Sequence, residues 1–235
     1  MMLPVAILAG GTATRLRPIT ETIPKAMVPV AGMPFISHQL RLLRRNGVDR
    51  VVLLVGYHGK QIEEFVGDGS DFGLHVTYKY DGKTLLGTGG ALRAALPLLG
   101  PAFLVLYGDS YLEVPFAPVV DAWRESKLPA LMTVFHNKNQ FDRSNVIYKD
   151  GKIQLYDKAL SGDPSMEHID YGLGVLTADV IRELGSDGRF DLAVVYRDLA
   201  RQKRLAGYEV HDRFFEIGTP EGLRQTEEHL FGQPN

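Results

Sequence analysis

The amino-acid sequence predicts an α/β fold in which a mixed, mostly parallel sheet is covered by helices on both faces. Over residues 1–135, apolar runs that are each long enough for one buried strand alternate with amphipathic segments of helical period. Parallel strands need crossover connections, which are usually helices, so this alternation favours a parallel sheet. A hairpin pattern appears only later, within residues 136–220. We therefore expect a single domain over residues 1–235, with a smaller β-rich second part.

In the first part, the predicted order is strand, helix, strand, helix, strand. The first strand covers residues 3–8, and a helix over 35–45 follows, with Pro34 suited to its start and Asn46-Gly47 to its end. The other elements predicted in this part are a strand at 48–55, a helix at 60–66, a strand at 74–80, a helix at 91–96, a strand at 101–107, a helix at 116–125 and a strand at 130–135.

In the second part, strands at 146–148 and 153–156 flank the turn Lys149-Asp150-Gly151-Lys152 and predict a hairpin. A helix is expected over 191–201 with Asp191 as its N-cap. Thr219 is expected to cap a final helix whose first turn holds Pro220.

Composition excludes several classes of protein. Hydrophobic residues make up 45% and charged residues 23%, and the net charge of −2 gives no general attraction to nucleic acid or to an anionic membrane. Cysteine is absent, which excludes disulfides, thiolate zinc sites and a cysteine nucleophile. Neither a signal peptide nor an apolar run near the ~20 residues of a membrane span is evident. A cytoplasmic enzyme is the expectation.

The stretch after the first strand has the chemistry of a phosphate-binding loop. Gly10 and Gly11 allow close approach of the backbone to a ligand, and the cations Arg15 and Lys25 follow. Backbone N–H groups and fixed cations are what a phosphate needs. A surface loop with solvated arginines is the alternative, but the preceding buried strand favours phosphate. The loop lacks the Gly-Lys-Ser/Thr ending of a P-loop, and the absence of G-x-G-x-x-G argues against a dinucleotide oxidoreductase.

The motif LAGG-x-x-TRLRP, followed by PK and PV, closely resembles the signature of the sugar-1-phosphate nucleotidylyltransferases. This resemblance implies a Rossmann-like fold and an enzyme that joins a sugar 1-phosphate to a nucleoside triphosphate and releases pyrophosphate. It implies catalytic roles for Arg15 and Lys25. Ala13 stands where the family usually has glycine, and we expect alanine to replace glycine there only if its φ stays negative. The nucleotide-binding residues implied here are Leu8, Ala9, Gly10, Gly11 and Thr12.

The run LLGTGGAL at residues 85–92 resembles the second fingerprint of the family. In relatives, the backbone at the positions of Gly87 and Thr88 lies against the nucleobase. Tight packing of a helix N-terminus on the sheet would use the same glycines equally well, so that alternative stays open.

Asp109 follows a strongly apolar strand, at the end where ligands bind in open α/β sheets. It matches the catalytic, metal-binding aspartate of the family, which holds Mg²⁺ on the triphosphate; an aspartate that only starts a turn is the alternative. Tyr111 replaces the second acid of an Asp-x-Asp pair, which argues against a transferase that consumes a nucleotide sugar. Glu216 takes the place of the second metal-binding aspartate, and its oxygens also suit Mg²⁺.

The resemblance also implies a set of residues that contact the sugar phosphate. Asp157-Lys158 replaces the usual Glu-Lys pair, and Tyr171 departs from the family pattern, so both leave the sugar identity open. The implied sugar-phosphate contacts are Ser110, Asn145, Asp157, Lys158, Asp170 and Tyr171.

The sequence therefore predicts nucleotidyl transfer between a nucleoside triphosphate and a sugar 1-phosphate, with a heptose or mannose 1-phosphate guanylyltransferase as the best match. A uridylyl-, thymidylyl- or cytidylyltransferase of another sugar 1-phosphate is the alternative. The changes at Ala13 and Glu216 also keep open a non-catalytic nucleotide-binding paralogue. No nucleic acid or membrane partner is expected, and either a monomer or a homodimer is compatible with the sequence.

Overall fold

The computed structural model describes residues 2–11, 13–82, 84–185 and 188–232. Its strands are β1 (Val5–Ala9), β2 (Pro29–Val30), β3 (Met33–Pro34), β4 (Arg50–Val55), β5 (His75–Tyr80), β6 (Ala102–Tyr107), β7 (Ser110–Tyr111), β8 (Ala130–His136), β9 (Val146–Lys149), β10 (Lys152–Tyr156), β11 (His168–Thr177), β12 (Leu205–Val210) and β13 (Phe215–Glu216). Its α-helices are α1 (Phe35–Arg45), α2 (Gly59–Val66), α3 (Gly87–Leu99), α4 (Phe116–Ser126), α5 (Ala178–Leu184), α6 (Leu192–Arg201) and α7 (Pro220–Phe231).

One mixed sheet of nine strands has the order β5-β4-β1-β6-β11-β8-β12-β10-β9. Strands β5, β4, β1 and β6 run parallel to one another. Strand β11 is antiparallel to both β6 and β8, and β12 returns parallel to β8. The predicted α/β class is confirmed, with the parallel pairing concentrated in the first part of the chain. The hairpin β9–β10 forms as predicted and extends the edge of this same sheet.

Both faces of the sheet are covered, because successive side chains of a strand point to opposite sides. In β1, Val5 and Ile7 face a core that α1, α2 and α4 complete, while Ala6 faces a second core that α3, α5 and α6 complete. Helix α7 packs on a third, smaller cluster that contains Ile217 and Tyr111. No helix among the described residues is long and apolar enough to cross a membrane.

Most predicted elements lie within a few residues of the observed ones. Helix α1 has the predicted bounds, and Asp191 and Thr219 cap α6 and α7 as expected. Helix α3 differs, because it begins at Gly87 and not at residue 91. The sequence patterns did not indicate β11, β12 or α5.

The ends of β1 and β6 create the crevice that holds the candidate site. In the sheet, strand β1 lies between β4 on one side and β6 on the other. The crevice outside the carboxyl ends of such strands is where open α/β sheets bind ligands. Gly108 lets β6 leave the sheet close to β1, since a Cβ atom there would lie 2.6 Å from the carbonyl oxygen of Leu8.

Candidate active site

A cavity of about 360 Å³ opens at the carboxyl ends of β1 and β6. It joins the two sequence fingerprints, which lie 76 residues apart in the chain if counted from Gly11 to Gly87. Lys25 and Asp109 also line it. The predicted nucleotide-binding residues that line this cavity are Leu8, Ala9, Gly10, Gly11, Gly87 and Thr88. Thr12, the remaining member of that predicted set, lies outside the described residues.

Lys25 and Asp109 form an ion pair at the charged part of this cavity. The distance from Lys25 Nζ to Asp109 Oδ2 is 2.9 Å, and the two side chains are 19% and 34% exposed. The Ser110 hydroxyl donates to Asp109 Oδ1 over 3.4 Å, and the Ile217 N–H donates to the Asp109 carbonyl over 2.9 Å. Partial burial shields the pair from solvent, so its charges are held in place before any ligand arrives.

Gln39 fixes the turn that carries Asp109. Its side chain is fully buried on α1, and its Nε2 donates to the Tyr107 carbonyl over 3.0 Å and to the Ser110 carbonyl over 2.7 Å. These two bonds hold the backbone on either side of Asp109. The sequence patterns missed Gln39. Its position on the apolar side of α1, one residue before Leu40, is the signal that could have found it.

Glu216 lies next to Asp109 because β13 pairs with β7. Glu216 is opposite Ser110 in that register. Its Oε2 accepts the Gly218 N–H over 2.7 Å, and its Oε1 accepts the Thr219 hydroxyl over 3.5 Å. Burial raises the pKa of Glu216, and the negative charge of Asp109 raises it further. A cation bound beside Glu216 would relieve this unfavourable interaction.

The phosphate loop departs from the expectation at Ala13. This residue has a φ of 48°, in the left-handed region, so the condition of a negative φ is not met, and the alanine nevertheless takes the conformation of a glycine. The Ala13 carbonyl accepts the Thr20 hydroxyl over 2.7 Å and the Leu16 N–H over 3.1 Å, and these bonds hold the loop in the conformation that glycine adopts most easily. Arg15 lies exposed in the short 3₁₀ helix Thr14–Leu16 and does not line the cavity.

The start of α3 packs tightly against the segment around Phe190 and also lines the cavity. The Phe190 carbonyl accepts the N–H groups of Gly89 and Gly90, over 3.1 and 3.3 Å. Gly87 has a φ of +72°, and a Cβ atom there would lie 2.5 Å from the same carbonyl oxygen. The Thr88 hydroxyl donates to Asp191 Oδ1 over 3.0 Å and accepts the Leu192 N–H over 2.8 Å. Tight packing therefore explains these glycines, while Gly87 and Thr88 still line the cavity.

A second polar cluster adjoins the cavity through Tyr107, which lines it. The Tyr107 hydroxyl donates to Asp170 Oδ2 over 3.5 Å, and Lys158 Nζ lies 5.8 Å from the centre of the Tyr107 ring. Asn145 Oδ1 accepts the Asp170 N–H over 2.9 Å. Burial raises the pKa of Asp170, and the charge of Lys158 opposes that shift. Asn145, Lys158 and Asp170, which the resemblance implied for the sugar phosphate, are thus together.

Two other residues of that predicted set are placed differently. Asp157 caps the short 3₁₀ helix Lys158–Leu160, its Oδ1 accepting the Ala159 N–H over 2.9 Å. Tyr171 is only 2% exposed, and its ring packs against Phe135 and Phe214 in the core. Its side chain cannot also reach a sugar phosphate beside Asp170, because neighbouring residues of β11 point to opposite faces. That prediction for the Tyr171 side chain is corrected here.

The structure adds cavity residues that the sequence did not single out, among them Asp81 and Arg189. Asp81 comes directly after β5, just as Asp109 comes shortly after β6. The position of a carboxylate after a parallel strand is the signal that could have found it. Within the described ranges, no group of three or more histidine, aspartate or glutamate side chains is arranged to hold a metal ion.

The family is decided by a model for nucleotidyl transferases, which matches residues 5–145, more than half of the chain. The chain belongs to the nucleotidyl transferase family. It is 29% identical over 227 residues to the N-acetylmuramate alpha-1-phosphate uridylyltransferase of Neisseria meningitidis, covering 94% of this chain and 95% of that protein. It is 27% identical to the D-glycero-alpha-D-manno-heptose 1-phosphate guanylyltransferase of Campylobacter jejuni, covering 92% and 94%.

Other relatives of this nucleotidyl transferase are longer. It is 29% identical to the UTP–glucose-1-phosphate uridylyltransferase of a Synechocystis strain, but it spans only 52% of that protein's length. These relatives are sugar-1-phosphate nucleotidyltransferases, so the predicted family and enzyme class are confirmed, whereas their bases and sugars differ.

Solved structures agree on the fold. HddC from Yersinia pseudotuberculosis complexed with GMP-PN has a TM-score of 0.81 at 25% identity, covering 97% of this chain and all of that one. A UTP-bound UGPase from Acinetobacter baumannii has a TM-score of 0.81 at 18% identity, covering 100% and 95%. The Rossmann-like α/β prediction is therefore confirmed.

Proposed function

We propose that this nucleotidyl transferase joins a nucleoside triphosphate to a sugar 1-phosphate to give a nucleoside diphosphate sugar and pyrophosphate. The observation that carries the proposal is the Lys25–Asp109 pair, which lies in a cavity lined by both fingerprints. Through Tyr107, that cavity adjoins the cluster of Lys158 and Asp170. A reaction between two phosphate-bearing substrates needs two neighbouring binding sites, and the cavity and this cluster provide them.

In the proposed reaction, an oxygen of the sugar phosphate attacks the α-phosphorus of the triphosphate in line. The bond between that phosphorus and the oxygen bridging to the β-phosphate breaks, and pyrophosphate leaves with the bond electrons. No covalent enzyme intermediate is required. Positioning of the two substrates and neutralisation of charge therefore supply most of the catalysis.

The roles of the residues follow from their placement. Lys25, already fixed beside Asp109, would lie against the α-phosphate, and Arg15 on the exposed side of the loop would meet the departing pyrophosphate. Lys158 and Asp170 would hold the sugar phosphate and a sugar hydroxyl, with Asn145 positioning Asp170. Asp109 and Glu216 are the residues that would hold Mg²⁺. When bound, Mg²⁺ supplies charge neutralisation on the triphosphate.

GTP with a heptose or mannose 1-phosphate is the substrate pair that we propose first. The Campylobacter relative, named a heptose 1-phosphate guanylyltransferase, and the HddC complex with GMP-PN support that pair. The Neisseria relative supports the alternative of a uridylyltransferase acting on another sugar 1-phosphate. Transfer of a thymidylyl or cytidylyl group is covered by the same test.

Two findings favour an enzyme over a non-catalytic paralogue. Ala13 adopts the left-handed conformation despite its side chain, so the loop keeps a glycine-like path. Glu216, although longer than aspartate, lies opposite Ser110 in the strand pairing, and the charge of Asp109 contributes to raising its pKa. Neither change removes a group that the proposed reaction needs.

The test is a pyrophosphate-release screen with Mg²⁺ over GTP, UTP, dTTP, CTP and ATP, each combined with heptose, mannose, glucose and N-acetylmuramate 1-phosphates. Mass spectrometry identifies the sugar nucleotide formed. Reactions without sugar 1-phosphate measure background hydrolysis. We expect at least one pair to give pyrophosphate and nucleotide sugar in equal amounts. Nucleotide binding without turnover for every pair would favour the paralogue, and absence of nucleotide binding would refute the proposed function.

A further inference from the structure

Arg213 lies between two aromatic side chains that belong to different parts of the chain. Its Cζ atom is 4.1 Å from the centre of the Phe141 ring and 4.5 Å from the centre of the Phe215 ring. A guanidinium group at such distances from a ring face makes a cation–π interaction, which strengthens when the cation is shielded from solvent. Burial lowers the pKa of Arg213, in agreement with that shielding. One side chain therefore joins Phe141 to Phe215 in an arrangement that we call the Arg213 stack.

Two hydrogen bonds fix the guanidinium group in the Arg213 stack. Its Nε donates to the Phe214 carbonyl over 3.3 Å, and its Nη2 donates to Gln225 Oε1 on α7 over 2.8 Å. Both acceptors are neutral oxygens, so the contacts depend on the direction of the donors more than on charge. A planar guanidinium group can donate in its own plane while it stacks on both faces, and the ammonium group of a lysine cannot.

Phe141 belongs to the loop of residues 137–144, which leads directly into Asn145. Asn137, a buried residue, ties this loop together from inside. Its Oδ1 accepts the Phe141 N–H over 3.1 Å, and its Nδ2 donates to Ser144 Oγ over 3.1 Å. A contact at Phe141 therefore restrains the whole loop and the position at which the chain enters Asn145.

The two ends of the stack adjoin groups that the proposed reaction uses. Phe215 comes directly before Glu216 in β13. On the other side, Asn145 Oδ1 accepts the Asp170 N–H over 2.9 Å. The loop also lies within electrostatic reach of β13, since the charge of Asp142 contributes to raising the pKa of Glu216. The stack thus connects the carboxylate on the proposed metal side with the residue that positions the proposed sugar contact.

Loss of the stack should leave both the fold and the nucleotide cavity in place. The centre of the Phe141 ring lies 6.1 Å from the ring centres of Phe135 and Phe214, so the loop would keep other aromatic contacts. Within the described part of the chain, no residue of 137–144 or 211–216 lines the nucleotide cavity. The effects are therefore expected at the two groups that the stack connects.

Resting on the proposed function, we propose that Arg213 is a positioning residue, which holds Glu216 and Asn145 in their reactive arrangement by stacking Phe141 on Phe215. It acts through these two groups and does not itself contact the reacting atoms.

The experiment compares the wild-type chain with Arg213→Met, Arg213→Lys, Phe141→Leu and the double variant of Arg213→Met with Phe141→Leu. Methionine keeps the length of the side chain but removes the cation and its donors, whereas lysine keeps the charge and loses the planar group. The matched control is Arg182→Met, which removes an exposed arginine on α5 that pairs with Asp179. For each protein, kcat and the KM of both substrates are measured at saturating Mg²⁺. Hydrogen exchange of residues 137–144 and urea unfolding are measured without substrates.

We expect Arg213→Met to lower kcat by about tenfold, because a small misplacement of groups around the reacting phosphorus is costly. It should raise the KM of the sugar 1-phosphate and leave the KM of the nucleoside triphosphate within about twofold of wild type. Exchange in the loop should become faster, and Arg213→Lys should recover only part of the rate. The double variant should lose little more than either single variant, because both changes remove the same stack. Arg182→Met should match wild type throughout.

Unchanged kcat in folded Arg213→Met would overturn the inference, and so would additive losses in the double variant. Faster exchange or lower stability with unchanged kinetic constants would also overturn it, because Arg213 would then be only structural. In each of these cases the wild type still forms nucleotide sugar, so the proposed function stands. No nucleotide sugar from the wild type with any pair of substrates would overturn both.

Discussion

Lys25 and Arg15 differ in environment, although the sequence suggested similar roles for both. Lys25 is mostly buried and paired with Asp109, whereas Arg15 is exposed on the 3₁₀ helix after the loop. A charge fixed before substrate binding contributes to catalysis because little reorganisation is needed during the reaction. The exposed arginine has to be ordered by the ligand itself.

We therefore predict that Lys25→Ala lowers kcat/KM by about 10²–10³, the range for loss of one preorganised electrostatic contact. Arg15→Ala should lower the rate less, and both proteins should remain folded. The exposed Lys60→Ala on α2 is the control for loss of a lysine charge. Steady-state pyrophosphate release and urea unfolding measure the two effects. An unfolded Lys25→Ala protein would show that Lys25 is structural, and a folded one with unchanged kinetics would remove Lys25 from the mechanism.

The raised pKa of Glu216 makes the stability of the fold depend on pH. Burial and the charge of Asp109 raise its pKa above the ordinary value of 4.5, so the folded state binds the proton more tightly than the unfolded state. Stability therefore falls as pH rises above 4.5 through the folded pKa, and the ionised carboxylate destabilises the fold at pH 7. Without Mg²⁺, Glu216→Gln should have a higher free energy of unfolding than wild type at pH 7. In urea unfolding, that difference should disappear below pH 4.5; a variant that is less stable than wild type at pH 7 would contradict this account.

Substitutions of Glu216 can show whether the charge or the length of its side chain matters for catalysis. Glutamine keeps the length of Glu216 but removes the charge that would balance a cation, whereas aspartate keeps the charge. We predict that Glu216→Gln loses most activity and needs more Mg²⁺, while Glu216→Asp retains substantial activity. A Mg²⁺ titration of pyrophosphate release measures both. Wild-type kinetics for the two variants alike would refute a metal site built from two carboxylates.

At the scale of elements, α1 holds the turn that carries Asp109 in place through Gln39. Its Nε2 holds the carbonyl groups of Tyr107 and Ser110, on either side of Asp109. Gln39→Met preserves the packing volume but removes both donors. We predict a fall in kcat of about tenfold with a smaller change in KM, because the turn and not the binding surface is loosened.

Ser37→Ala on the same helix is the matched control for Gln39→Met. The Ser37 hydroxyl is buried without a hydrogen-bond partner in the described part of the chain, so its removal should leave stability unchanged or raised. Circular dichroism and urea unfolding monitor both variants. A loss of stability without a loss of kcat in Gln39→Met would assign Gln39 a purely structural role.

Local signals predicted the elements whose contacts are local. Helix α1 could be bounded from its proline start and its Asn-Gly end, and the caps at Asp191 and Thr219 follow from side chains that bond within their own helix turns. The start of α3 could not be predicted in this way. In its first turn, the N–H groups of Gly89 and Gly90 are satisfied by the carbonyl of Phe190, about 100 residues later in the chain, and a contact of that kind leaves no local pattern.

At the scale of the whole molecule, the sequence predicted the parallel part better than the mixed part. Strand β11 was not recognised, and for this reason the side chain of Tyr171, which the structure buries in the core, was placed with Asp170 in the predicted sugar site. Recognition of a strand would have prevented this, since adjacent strand residues face opposite sides of the sheet. Gln39 and Asp81 were missed for another reason: the fold, and not a motif, brings them to the crevice.

The central claim is that the crevice at the ends of β1 and β6 carries Mg²⁺-dependent nucleotidyl transfer through Asp109. The most direct measurement is the rate at which nucleotide sugar and pyrophosphate form together, with saturating Mg²⁺, in wild type, Asp109→Asn and the control Asp150→Asn. We predict equal amounts of both products in wild type and control, and a loss of about 10²–10³ or more in Asp109→Asn with its fold intact. Full activity in purified, folded Asp109→Asn would contradict the account.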